Sequence, residues 1–169
     1  MRSNLELKAA CRSLTAAEKI ARRIKAKRVG VMYQTDTYYR VKSGRLKLRE
    51  IDGSWSELIH YKRSDREGSR YSNYDVVPLS SVDPLKRLFR LLFGELAVVR
   101  KVRTLYIYRN ARIHLDRVRG VGSFIEFEVL MKRGKRQAQT MMVFLKREFG
   151  IEQHSIIAGS YSDLIWNKS

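Results

Sequence analysis

A disulfide framework and a zinc cluster are the first things this sequence excludes: it has one cysteine, Cys11, and three histidines in 169 residues. A lone cysteine closes no internal bridge and fits a reducing compartment. No Cys/His group has the spacing of a zinc finger or ribbon. Proline is nearly missing too: Pro78 and Pro84 flank one expected loop. There is no Pro/Gly/Ser linker, repeat or low-complexity tract. No stretch approaches the ~18 apolar residues of a membrane span, and Met1-Arg2-Ser3-Asn4 lacks the apolar run of a signal peptide. The expectation is one domain over 1–169, cytoplasmic and not inserted in a membrane. Negative charge is scarce as well.

Against 17 acidic residues stand 35 basic ones, a formal charge of +18 and a pI near 10.4. Such a chain seeks anions: nucleic acid, an acidic membrane surface or small phosphorylated ligands. At 44% hydrophobic and 10% aromatic it is too apolar for a disordered polycation. A chain of this length buries about two-thirds of its unfolded surface, enough for a core without staples.

Alternation predicts a first strand over 4–9. Apolar positions Ala17, Ile20, Ala21 and Ile24 at helical spacing predict a helix over about 15–28, with Thr15 and Glu18 as its capping box. Strands are expected over 29–41, 45–51, 55–63 and 70–79, with Asp52-Gly53 as a hairpin turn. A second helix over 82–93 carries Leu85, Leu88, Phe89 and Leu92 on one stripe and stops at Gly94. Strands over 96–108, 112–118 and 123–131 follow, then a helix over 136–149 and a short one over 161–166. About eight strands, mostly adjacent in sequence, with three or four helices suggest an antiparallel sheet, curled into a barrel, with helices outside.

The informative pattern is which residues share a strand face, since side chains alternate with period two. Glu6 and Lys8 oppose Leu5 and Leu7. Arg45, Lys47 and Arg49 oppose Leu46 and Leu48, and Ile51 follows after a one-residue drift. His60 and Lys62 oppose Ile59 and Tyr61. Lys101 and Arg103 share a face, as do Arg112, His114 and Asp116. Glu126 and Glu128 oppose Ile125, Phe127 and Val129. An antiparallel sheet with one solvated face would alternate in the same way. Two features argue against that reading: the polar face is almost wholly ionisable, and its signs are segregated by strand. Turned inward, Lys8, Lys47, Arg49, Lys62, Lys101, Arg103 and Arg112 would face Glu6, Asp116, Glu126 and Glu128, a surplus of +3. Unpaired buried charge is strongly disfavoured. A triphosphate of about −4 with one divalent cation would bring that interior near neutrality.

Leu5-Glu6-Leu7-Lys8, Arg45-Leu46-Lys47-Leu48-Arg49, Lys101-Val102-Arg103, Arg112-Ile113-His114-Leu115-Asp116 and Glu126-Phe127-Glu128, in that order, resemble the CYTH superfamily. That group, also called triphosphate tunnel metalloenzymes, includes class IV adenylyl cyclases and thiamine triphosphatases. Gln34-Thr35-Asp36-Thr37-Tyr38, Gly122-Ser123-Phe124 and Ser160-Tyr161-Ser162-Asp163-Leu164 match the bacterial cyclase-like branch. The resemblance implies an α+β fold: an eight-stranded antiparallel barrel whose tunnel binds a small-molecule triphosphate and Mg²⁺ or Mn²⁺, with helices outside. It implies that Glu6, Asp116, Glu126 and Glu128 hold the metal. Lys8, Arg49, Lys62, Lys101, Arg103 and Arg112 would hold phosphate oxygens and act in catalysis, with Lys47 beside them. Asn4 stands where the family's opening Glu-x-Glu-x-Lys motif has its first glutamate, so one metal position carries less charge.

In a cyclase, the ATP 3′-hydroxyl attacks the α-phosphorus and pyrophosphate leaves. In a triphosphatase, water attacks the γ-phosphorus of thiamine triphosphate, a nucleoside triphosphate or tripolyphosphate. A third reading is a non-catalytic module that captures polyphosphate or RNA. Glu126 and Glu128 beside a phosphate site favour an enzyme. His114 reads as a hydrogen-bonding neighbour in the tunnel more readily than as a general base. Cys11 reads as a small core residue. Basic segments such as Arg22-Arg23-Ile24-Lys25-Ala26-Lys27-Arg28 and Lys86-Arg87 with Arg90 are ordinarily solvated faces, yet one small ligand does not account for them. Nucleic acid is therefore a secondary partner to consider, and a homodimer is compatible with the resemblance. Tyr33, Tyr38, Tyr39, Tyr106 and Tyr108 could stack on bases, though barrel packing explains them more simply.

Overall fold

The computed structural model describes residues 2–63, 68–131 and 134–166. Eight strands run as β1 (Arg2–Ala10), β2 (Lys27–Tyr39), β3 (Arg45–Ile51), β4 (Trp55–Arg63), β5 (Arg70–Leu79), β6 (Glu95–Tyr108), β7 (Ala111–Val118) and β8 (Gly122–Leu130). They close a barrel in the order β1-β5-β4-β3-β2-β6-β7-β8, every pairing antiparallel. Closure removes the unpaired edge that an open sheet would leave. The three-residue β3–β4 connection, Asp52 to Ser54, contains the turn the sequence predicts. Asp52 and Gly53 both take positive φ (51° and 68°), and the Ser54 N–H donates to the Ile51 carbonyl at 3.1 Å. That is the mirror-image turn whose twist suits a hairpin.

The barrel has two apolar layers, and strand alternation separates them. Leu5, Leu7, Ile113, Leu115, Ile125, Phe127 and Val129 point outward from β1, β7 and β8. There they are covered by α1 (Leu14–Arg23) and α3 (Lys135–Glu148), which contribute Ala17, Ala21, Met142 and Leu145. The second layer lies inside one end of the barrel. Tyr38, Ile59, Tyr61, Val99, Val118 and Phe124 close around Tyr161 of the terminal helix α4 (Tyr161–Trp166), with Leu164 and Ile165 packed beside them. Helix α4 thus seats against one mouth, the end at which β1 finishes and β6 begins.

Three local expectations are corrected. Helix α1 is capped by Ser13, whose Oγ accepts from the Ala16 N–H at 3.2 Å, and not by a box at Thr15. The helix also stops at Arg23: Lys25 adopts φ 61°, and Lys27-Arg28 already belong to β2. The stripe on α2 (Asp83–Phe93) does not make it a core helix. None of its residues is buried, and Leu88 and Leu92 are 47% and 61% exposed. Phe89 alone makes a ring contact with the barrel, edge-on to Tyr39 at 5.3 Å.

Leu7 is fully buried in the outer layer. Leu7→Ala is expected to cost about 2–5 kcal/mol and to lower the melting temperature by roughly 5–15 °C. An unchanged thermal transition would contradict the packing described here.

Candidate active site

The inward residues of all eight strands line a cavity of about 370 Å³, within the range of small-molecule sites. Strand β1 supplies Asn4, Glu6 and Lys8; β3 supplies Lys47 and Arg49; β6 supplies Lys101 and Arg103; β7 supplies Arg112 and His114; β8 supplies Glu126 and Glu128. Exposure rises along the axis away from α4. The Asp116 side chain is fully buried, that of Arg103 is 4% exposed, Glu128 19% and Arg112 40%. Solvent therefore enters at the end opposite α4.

Two buried carboxylates hold the cations at the deep end. Asp36 accepts from Arg49 Nε at 2.7 Å and Nη2 at 3.1 Å, from Lys47 Nζ at 3.2 Å and from Lys101 Nζ at 3.3 Å. Burial alone would push its pKa up, but Arg49, Lys47 and Lys101 together hold it well below the usual carboxylate range. Asp116 accepts a fork from Arg103 (2.7 and 2.6 Å) and the Tyr161 hydroxyl at 2.8 Å. Arg103 also donates to Glu126 at 2.8 Å. Burial and the neighbouring Asp116 and Glu126 charges keep the Tyr161 phenol protonated, so it is a fixed donor. Its ring lies under two cations, with Lys8 Nζ 3.8 Å and Lys101 Nζ 5.0 Å from the centroid.

Helix α4 is fixed in turn by its own start. The Ser160 N–H donates to Asp163 Oδ2 at 2.7 Å, and Arg45 reaches the same oxygen from β3 at 2.9 Å. Gly159 permits this turn: a Cβ there would sit 2.8 Å from Asp163 Oδ2.

Toward the open end the donor set changes. Ligand atoms of His114, Glu126 and Glu128 lie within 4.8 Å of one another. His114 Nδ1 is 3.5 Å from Glu126 Oε2 and 3.8 Å from Glu128 Oε1. Glu6 pairs with Glu128 across the β1–β8 register, and Lys8 Nζ lies 3.3 Å from Glu126 Oε1. Burial opposes ionisation of Glu126, but Lys8, His114 and Arg103 outweigh it and hold the carboxyl well below its usual range. Asn4 Oδ1, buried on the same inward face, has no hydrogen-bond partner among the described residues. Ionised carboxylates beside a spare amide oxygen suit a hard divalent cation.

Ten of the eleven expected site residues are thus brought together. Lys62 is not: it lies exposed on the outside of β4, because Glu57, Ile59 and Tyr61 take the inward positions. On this strand the charges mark solvent and the apolar residues mark the interior. Its neighbour His60 likewise faces out, Nε2 lying 3.0 Å from the Ser43 carbonyl. Asp116 enters the site bound to Arg103 and Tyr161, apart from the His114–Glu126–Glu128 group. Ile51 faces inward with Arg49, so the drift expected in β3 does not occur. Asp36, Glu57 and Tyr161 were missed. Asp36 was detectable as a lone acid in a long β-branched and aromatic run, on the same alternation as Gln34 and Tyr38. With it, and with Arg70 buried on β5 opposite Glu6, the inward face holds seven cations (Lys8, Lys47, Arg49, Arg70, Lys101, Arg103, Arg112) and six carboxylates (Glu6, Asp36, Glu57, Asp116, Glu126, Glu128). The expected surplus of +3 falls to +1.

The chain belongs to the CYTH domain family, which matches residues 3–161. No curated protein matches it. Among solved structures it is similar to the PH1012 protein of Pyrococcus horikoshii OT3, with a TM-score of 0.85 at 22% identity, covering 95% of this chain and 98% of that one. A proposed adenylate cyclase from Vibrio parahaemolyticus gives 0.78 at 17% identity, covering 97% and 98%. HpAC1 from Hippeastrum, a proposed adenylyl cyclase with a dominant triphosphatase activity, gives 0.66 at 14% identity, covering 98% and 95%. At these identities the likeness is one of fold.

Two of the deep cations titrate near neutrality. Burial, with repulsion from Arg49, lowers Lys47 to about 7; burial, with repulsion from Arg103, lowers Lys101 to about 8. A polyanion stabilises their protonated forms, so its binding must take up protons and weaken as pH rises through this range. With tripolyphosphate as probe, calorimetry near pH 8 in buffers of different ionisation enthalpy should show net proton uptake, and Lys101→Met should reduce it. Buffer-independent heats with affinity flat between about pH 7 and 9 would refute the lysine assignment.

Proposed function

We propose that the protein is a divalent-metal-dependent enzyme acting on an organic triphosphate, of the class IV adenylyl cyclase type, which forms cyclic AMP and pyrophosphate from ATP. The observation that carries this reading is the order of groups along the tunnel. Lys101 and Arg103, beside Tyr161, lie against α4, Glu128 and Arg112 lie toward the open mouth, and Glu126 and His114 bridge the two groups. A triphosphate entering phosphate-first sets its terminal phosphoryl groups among Lys47, Arg49, Lys101 and Arg103. Its α-phosphorus then lies level with the mouth-side carboxylates.

Glu126 and Glu128, with Glu6 and the Asn4 carbonyl nearby, would hold Mg²⁺ or Mn²⁺, which when bound would lower the pKa of the attacking hydroxyl. The residues of the chain do the rest. Lys8 and Arg112 flank the α-phosphoryl oxygens. Arg103, oriented by the Asp116 fork, and Lys101, over the Tyr161 ring, take up the charge that develops on the leaving pyrophosphate. Arg49 and Lys47 fix the distal phosphate, so little covalent chemistry is asked of the protein. Asp116 orients Arg103 in this reading, and His114 steadies the two glutamates.

A second reading replaces the ribose hydroxyl with water and makes the protein a triphosphatase. The fold likeness to HpAC1, whose dominant activity is of that kind, favours it.

Incubation with ATP, thiamine triphosphate and tripolyphosphate in Mg²⁺ or Mn²⁺, with products resolved, separates the two. Cyclic AMP with pyrophosphate is the expected outcome, and orthophosphate selects the second reading. Glu126→Gln should abolish metal-dependent turnover in a protein that still folds, with a lowered melting temperature because Lys8 and Arg103 lose a buried partner. Full activity in that variant, or no turnover of any of the three by the wild type, would overturn the proposal.

A further inference from the structure

The inward face carries little of the +18, so nearly all of it resides on the rest of the molecule, and part of it forms one continuous cluster. Arg22 and Arg23 end α1, Lys25 occupies a left-handed turn, and Lys27 and Arg28 open β2. Arg109, also left-handed, forms the β6–β7 turn, and Arg147 closes α3. Contacts join these separate segments into one face. Arg109 lies over the Tyr108 ring (5.3 Å), Tyr108 stacks on Phe144 (5.4 Å, 15°), and Arg147 lies over Phe144 (5.7 Å). Glu148 then bridges Arg147 (3.1 Å) and Arg23 (3.2 Å). Only Glu148 and Glu18, which pairs with Arg22, are in ion pairs with this cluster among the described residues. Lys27 is in register with Ile107, and Ile107 with Arg112, so the face adjoins the open end of the tunnel.

The column Arg109–Tyr108–Phe144–Arg147 is not a generic charged coat. Stacking on a ring pre-orders a planar guanidinium and leaves its outer face free; Arg147 shares its fork with Glu148, while Arg109 makes no ion pair among the described residues. Fork and face are what a phosphodiester and a base engage on a protein. The two rings are half-buried against each other, so the guanidiniums are outermost and no ring is free to enter a bilayer. We propose that this face, formed by the end of α1, the β6–β7 turn and the end of α3, docks a single-stranded nucleic acid. Phosphates would lie along Arg22, Lys25 and Lys27, and bases would stack at Arg109 and Arg147. This surface is separate from the catalytic constellation and requires no particular reaction in the tunnel.

The test uses the full chain and a fluorescent 20-nucleotide RNA with a 5′-hydroxyl, which offers the tunnel no triphosphate. Fluorescence anisotropy should show salt-dependent binding. The pair Arg109→Glu and Arg147→Glu should weaken it at least tenfold at about 150 mM salt, with a shallower salt slope. Lys42→Glu with Arg87→Glu makes the same change in net charge on exposed residues elsewhere and should weaken it less than threefold. Arg109→Lys with Arg147→Lys retains charge but not planarity; a several-fold loss is expected, and this pair carries the test should the glutamates lower the melting temperature. Saturating tripolyphosphate should not displace the RNA. Equal weakening by the two glutamate pairs, wild-type affinity in the lysine pair or displacement by tripolyphosphate would overturn the proposal. So would capture by phosphatidylglycerol vesicles with no RNA binding.

Discussion

Everything inside this barrel depends on Asp36. Lys47, Arg49 and Lys101 come from two different strands and converge on its two oxygens, which are fully buried. Removing one partner from a buried ionic cluster typically costs about 3–5 kcal/mol, because the remaining charges lose their compensation. Asp116 repeats the device for Arg103 two strands along the barrel. Between them the two aspartates let a closed sheet keep an ionised interior without a ligand. The sheet closes because its other face, on β1, β7 and β8, is apolar and covered by α1 and α3.

Strand alternation made most of this legible beforehand. On β1, β3, β6, β7 and β8 the inward face is ionic and the outward face apolar, opposite to an ordinary solvated sheet, and the segregation of signs by strand disclosed it. The same rule failed on β4, where Tyr61 and Ile59 serve the layer around α4 and Lys62 is solvated. Period-two patterning divides a strand into two faces but does not say which is inside; only the neighbours do. Asp36 escaped for a related reason. Its strand reads as a continuous β-branched and aromatic run, so a single acid there looks incidental until cations from β3 and β6 are brought against it. Helix α2 shows the converse: a strong apolar stripe predicts a buried face, yet the barrel offers it little beyond the Tyr39 ring.

The terminal helix turns a symmetric barrel into a directional site. Tyr161 inserts beneath Lys8 and Lys101 and ties itself to Asp116, while Asp163 is held by Arg45 and by the Ser160 backbone. One end is thereby apolar and closed, while the other, where Arg112 and Glu128 are the most exposed of the paired charges, opens to solvent. A ligand with a charged end and an organic end meets these surfaces in only one productive sense.

The near-balance of charge on the inward face also sets what can bind. A phosphate reaching the deep cations must replace Asp36 or Asp116 as their partner, and it leaves that aspartate with fewer contacts. A monoanion exchanges one charge for another and gains little. A polyphosphate spans several cations at once, so its later contacts form without further loss of translational freedom. It also restores protons to Lys47 and Lys101, which burial holds near neutrality. In the proposed reading, a cation held at Glu126 and Glu128 would offset the negative charge that the ligand brings beyond what those lysines absorb. High charge density in the ligand and an accompanying metal would then follow from one cause: the site is close to balance before either arrives.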